Sequence, residues 1–138
     1  MNWTLEVVSV PVADLDRAKA FYADRLGFAV DHDTRVSDDR GIIQLTPPGS
    51  GCSIVLSMGY IDMAPGSLRG GVLVVNDVRA ARAELLARGV EVGEVVIARP
   101  DGFRPSTEAD TDLNNVGFLL LTDPDGNEWG VQQITSRP

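Results

Sequence analysis

Apolar residues recur along this chain in two rhythms, and the rhythms change in the same order twice. Residues 5–12 are rich in β-branched side chains, as expected of a strand. Beyond Asp14 the period lengthens: Leu15, Ala18, Phe21, Tyr22 and Leu26 recur at spacings of three and four, which predicts a helix with one stripe against a sheet. Asp14 offers a side-chain acceptor to the free N–H groups at the helix start, and Gly27 is its expected left-handed stop. Residues 28–36, 41–46 and 53–57 then read as three strands. The turn signals Asp38-Asp39 and Pro47-Pro48-Gly49-Ser50-Gly51 separate them.

The order β-α-β-β-β is repeated after a Gly/Pro-containing linker at residues 58–67. Val10 to Tyr22 returns, degraded, as Leu73 to Leu85, and an offset of 63 pairs Val12 with Val75, Asp14 with Asp77, Ala18 with Ala81, Ala20 with Ala83 and Arg25 with Arg88. The second copy predicts a strand over 71–75, a cap at Asn76 or Asp77, a helix over 78–88 with Val78, Ala81 and Leu85 inward, and a stop at Gly89. Strands follow at about 90–97, 116–122 and 128–134, the last two joined by Asp123-Pro124-Asp125-Gly126-Asn127. The polar segment 98–115 is longer than an ordinary hairpin loop and reads as a lid or as a plain solvated loop. The expected architecture is one α+β domain over residues 1–138, built from module 1 (about 3–58) and module 2 (about 68–135). Their curved sheets would form a cup that neither half could build alone.

Charge narrows the partners. Lys and Arg total 12 against 20 Asp and Glu, a net charge of −8, and no basic stripe interrupts it, so nucleic acid and anionic membranes are not expected partners. The single Cys52 forms no internal bridge. With no signal sequence or apolar span apparent, a reducing cytoplasm is the expected compartment.

The tandem modules, the segment Val12-Ala13-Asp14-Leu15-Asp16-Arg17-Ala18-Lys19-Ala20-Phe21-Tyr22, the turn around Pro47-Pro48-Gly49 and the Asp-Pro-Asp-Gly-Asn turn together resemble the vicinal oxygen chelate superfamily. That group comprises glyoxalase, bleomycin-resistance and ring-cleaving dioxygenase proteins. The resemblance spans about residues 3–133 and implies a cavity for a small organic ligand and a homodimer. It leaves the chemistry open, because lyases, isomerases, dioxygenases and drug-sequestering proteins share the scaffold. It also implies four positions for ligands of a divalent metal. These fall here on Val7, Gly70, Gly130 and about Val55. None of the four carries a side-chain donor, and a divalent ion needs three or more N, O or S ligands at about 2.0–2.6 Å. No metal and no other cofactor is therefore expected.

If Val7 and Gly130 face a cavity, strand alternation turns Leu5, Ser9, Glu128 and Gln132 the same way, with Ser53 and Ser57 in the neighbouring strand. Ser9, Gln44, Ser57 and Gln132 are then candidate hydrogen-bonding contacts, or groups bonded to backbone at strand ends. Tyr60 and Phe103, in linker and loop, are candidates for stacking on a ligand or for burial in a dimer. Two residues are candidate catalysts. Glu128 would be a general base if an apolar cup raised its pKa, and His32 would be a proton shuttle between Asp31 and Asp33. Each also reads as a solvated strand residue. Trp129 alternates away from Gly130 and is expected in the core. The loop residues Asp101, Glu108, Asp110 and Asp112 suit a cationic ligand, as in the drug-sequestering branch, or plain solvent. The function these features favour is metal-independent binding of a drug or natural product, in the manner of a sequestering protein. The alternatives are a metal-independent lyase or isomerase using a cavity carboxylate and, third, a metal-dependent glyoxalase-type lyase or dioxygenase.

Overall fold

The computed structural model describes residues 1–137. It contains two mixed sheets with few helices, an α+β fold, and divides into two compact units: Met1–Leu68 with Asp123–Asn127, and Arg69–Thr122 with Glu128–Pro138.

In the first unit, strands β1 (Val7–Pro11), β2 (Ala29–Ser37), β3 (Arg40–Thr46) and β4 (Ser53–Met58) form one sheet in the order β1-β4-β3-β2. The β1–β4 pair is parallel and the others antiparallel. Helix α1 (Leu15–Lys19) widens into a π-helical segment (Ala20–Arg25), where Leu26 N–H donates to Phe21 O at 3.0 Å, five residues back. The predicted helix thus exists, with its second half widened and underwound. Leu15, Ala18, Phe21 and Tyr22 are buried with Val10, Ile43, Leu45, Ile54 and Leu56. A Cβ at Gly41 would come within 2.8 Å of Leu15 Cδ1, so glycine there lets the helix lie close on the sheet. The turn 123–127 belongs to this unit and is fixed by buried polar groups. Asp123 accepts the Tyr22 hydroxyl at 2.7 Å and the backbone N–H groups of Asp125, Gly126 and Asn127. The Asn127 side chain donates to Pro11 O at 2.8 Å and accepts from Leu68 N–H at 3.0 Å.

In the second unit, β5 (Gly71–Val75), β6 (Val96–Arg99), β7 (Gly102–Pro105), β8 (Gly117–Thr122) and β9 (Glu128–Gln133) form a sheet in the order β5-β9-β8-β6-β7. Helix α2 (Val78–Ala87) is capped by Asp77 at φ −147°, ψ 102°, almost the geometry of Asp14 at φ −144°, ψ 106°. Each cap accepts the N–H three residues on. At its caps the internal repeat is therefore reproduced in backbone conformation. Gly27 and Gly89 stop their helices with φ of +78° and +77°. Trp129 is buried as expected, and Gly71 makes room for it, since a Cβ there would meet the indole ring at 2.6 Å.

Three expectations change. The first strand begins at Val7, so Leu5, 66 % exposed, lies outside any strand and its facing by alternation does not hold. Of residues 90–97 only the end is strand, because Val92 makes a single isolated bridge to Leu121 before Gly93 ends the pairing. The segment 98–115 is not one loop: β7 folds back on β6 with Gly102 at φ +126° in the turn, and Phe103 is a strand residue.

Candidate functional site

The second sheet buries one face and leaves the other open. Ile97, Leu119, Leu121, Trp129 and Val131 are buried, while the alternating positions Val72, Val74 and Leu120 are about half exposed. Register places Val72, Gly130 and Leu120 in one cross-strand row, and Val74, Gln132, Phe118 and Val96 in the next. The open side holds a groove of about 420 Å³ bounded by Val72, Val96, Phe103, Phe118 and Leu120, with Gly70 and Gly130 on its backbone floor and Glu94 and Glu128 at its edges. Phe103 stands edge-on to Phe118, ring centroids 5.6 Å apart. Four of the sequence candidates, Gly70, Phe103, Glu128 and Gly130, meet here. Val72, Val96, Phe118 and Leu120 had no signal in the sequence, because strand register, not residue type, brings them beside Gly130.

Gly70 and Gly130 are glycine for different reasons. Gly70 has φ +86°, a conformation that side chains rarely adopt. Gly130 has no such constraint, and a Cβ built on it would find ordinary contacts at 3.8–3.9 Å. Glycine inside a strand weakens it and marks close approach by another group.

The polar candidates of this unit are engaged. Gln132 Nε2 donates to Asn115 O at 2.8 Å, beneath the turn where Asn115 has φ +68°. Glu128 is half-exposed, with Arg69 Nε at 3.7 Å. Of the acidic loop residues, Asp110 is engaged by a cation. Arg104 grips Asp110 with two hydrogen bonds, of 2.7 and 3.1 Å, and together with Thr107 N–H holds its carboxyl below the usual carboxylate range.

In the first unit, Ser9, Val55, Gln44 and His32 form one register row across all four strands. Ser9, Val55 and Gln44 are partly buried, and His32 is exposed on the edge strand. Val7 pairs with Ser53, whose hydroxyl is 2.6 Å from that of Thr46, which in turn donates to Asp31. Ser57 is buried, its hydroxyl 3.5 Å from Val55 O. Tyr60 is half exposed with the Arg40 guanidinium 5.2 Å from its ring centre, a cation–π contact on one face of the ring. Asp33 binds Arg35 and Lys19, which hold its carboxyl low, rather than sharing a proton with His32.

The model of the glyoxalase/bleomycin resistance protein/dioxygenase superfamily matches residues 4–131. The chain belongs to this superfamily. Among solved structures of similar fold, TnmS3, an antibiotic binding protein from Streptomyces sp. CB03234, is 32 % identical with a TM-score of 0.74, the match covering 96 % of this chain and 97 % of that one. A glyoxalase/bleomycin resistance protein from the same organism is 33 % identical over 94 % of this chain and 100 % of its own, with a TM-score of 0.71. A superfamily member from Sphaerobacter thermophilus DSM 20745 shares the fold at 22 % identity and a TM-score of 0.74, covering 96 % and 98 %. No curated protein matches.

The superfamily's metal does not fit the residues found here. Val7, Val55, Gly70 and Gly130 occupy the positions where ligands are implied, and none has a donor side chain. Among the described residues no group of three or more His, Cys, Asp or Glu stands close enough to hold an ion. Nor, among them, is any helix long and apolar enough to cross a membrane.

Proposed function

We propose that this superfamily member binds a small organic molecule in the groove of its second unit, without a metal ion, and acts by sequestering it. One observation carries the reading: Gly130, which neither backbone conformation nor packing requires, lies on the floor of a groove whose walls are exposed apolar side chains. Leaving Val72, Leu120 and Phe103 in water forgoes burial worth about 25 cal/mol per Å², which a ligand would recover. The likeness to TnmS3 supports an antibiotic or a molecule of similar kind as the ligand. A homodimer in the cytoplasm is the form in which we expect it to act.

The second reading is a metal-independent lyase or isomerase. The presence of Glu128 at the groove edge favours it, since a carboxylate beside a bound ligand is a candidate base. Native mass spectrometry of freshly purified protein tests both, reporting bound organic mass, metal and subunit number together. A retained organic adduct without metal supports sequestration. Turnover that survives chelator and is lost in Glu128→Gln supports the enzyme, and a stoichiometric metal held by side chains contradicts both.

A further inference from the structure

We propose that Arg79, Arg104 and Asp110 form a latch that holds Phe103 as a wall of the groove, so that three residues outside the groove set its affinity. The inference rests on the groove being the binding site. Phe103 belongs to β7, a strand of four residues at the sheet edge whose ladder is with β6 alone. β6 in turn joins β8 at two register positions, Val96–Phe118 and Ile97–Gly117, and by Ala98 N–H donating to Val116 O at 2.8 Å. So short an edge hairpin is marginal by itself. Burial does not fix Phe103 either, since it is 60 % exposed and its ring meets Phe118 edge-on.

Arg104 supplies what is missing. Side chains alternate along a strand, so Arg104 points away from the face that carries Phe103, and its planar fork binds the Asp110 carboxylate at two points. Asp110 is tied back to Thr107, with Thr107 N–H donating to its carboxylate at 2.8 Å. Arg79, in the first turn of α2, then donates to Asp110 O at 3.0 Å and to Thr107 O at 2.9 Å. The end of α2 that carries Arg79 is itself fixed, by the Asp77 cap, by fully buried Val78 and by the bond from Val78 N–H to Gln133 Oε1 at 3.0 Å. The latch therefore connects a weak edge strand to a firmly seated helix. A slip of one residue in β7 would exchange the faces of Phe103 and Arg104. Holding Arg104 on its side keeps Phe103 on the groove side.

The test is a fluorescence titration with Nile red, a neutral apolar dye, on the full chain and its variants. Wild type binds and Gly130→Leu does not. Phe103→Ala weakens binding about tenfold, which is about 1.4 kcal/mol. Asp110→Ala weakens it threefold or more, and the double variant is no weaker than Phe103→Ala alone, because the latch acts only through Phe103. If Asp110→Ala fails to fold, Arg104→Gln gives the same comparison. A dye indifferent to Gly130→Leu, or not bound at all, overturns the groove and the latch with it. A dye lost in Gly130→Leu but unaffected by Asp110→Ala, or a double variant that sums both losses, overturns the latch and leaves the groove standing.

Discussion

Gly71 and Gly130 face each other's strands across the β5–β9 ladder and answer to opposite forces. A Cβ at Gly71 would strike the Trp129 ring, so Gly71→Ala should destabilise the protein by about 1–3 kcal/mol, as overpacking does. At Gly130 the space is open and φ is unstrained, so Gly130→Ala should instead stabilise the fold by about 0.5–1 kcal/mol. Thermal melts of the two variants should move in opposite directions, the Gly130→Ala midpoint rising by about 2 °C. A fall on Gly130→Ala would mean that the glycine serves the fold and not a ligand. The sequence offered Gly130 only as one of four donorless positions in a resemblance. Its neighbours Val72 and Leu120 were invisible there, because which apolar residue lies beside which glycine is decided by pairing between strands far apart in sequence.

The capped helices were the most legible elements, since cap, apolar spacing and glycine stop all lie within a few residues of one another. The equal geometry of the caps predicts equal losses: Asp14→Ala and Asp77→Ala should each cost about 1 kcal/mol, measured by denaturant unfolding. The π-helical widening after Lys19 has no such local signature. Strand β7 reads as loop in the sequence because Gly102-Phe103-Arg104-Pro105 is short, ends in proline and is flanked by polar residues. It is a strand through its backbone ladder with β6, and the Arg104–Asp110 pair beside it is a contact between charged side chains that hydrophobic periodicity does not register. The pair also sets a pH dependence. The Asp110 carboxyl is held below its ordinary value of 3.8, so its contribution to stability is complete above that value and is lost as pH falls through the lower folded value. Wild type and Asp110→Asn should therefore differ in stability by a constant amount from neutral pH to about pH 5 and converge below about pH 4, as followed by urea unfolding. A difference that instead vanished between pH 7 and 6 would contradict this assignment.

Across the whole molecule, the 63-residue offset carried the architecture, because a repeated supersecondary unit leaves its mark in sequence even when few identities survive. The compact units nevertheless do not follow the repeat, since the turn 123–127 is counted with the first half of the chain. Asn127 holds that turn with a fully buried side chain bonded to Pro11 O, Asp123 and Leu68 N–H. Asn127→Ala should cost about 2 kcal/mol or more by leaving those partners unsatisfied. Function was less legible than fold, because this superfamily places many chemistries on one scaffold and the distinguishing groups are few. In the function we propose, apolar walls over a glycine floor, and not a metal, recognise the ligand. Amide chemical-shift mapping of the chelator-treated protein during titration with a panel of small aromatic antibiotics tests it most directly. Saturable shifts are expected at Gly70, Val72, Phe103, Phe118 and Gly130 in the absence of added metal. Shifts that appear only after a divalent ion is restored, or that spare those residues, would contradict it.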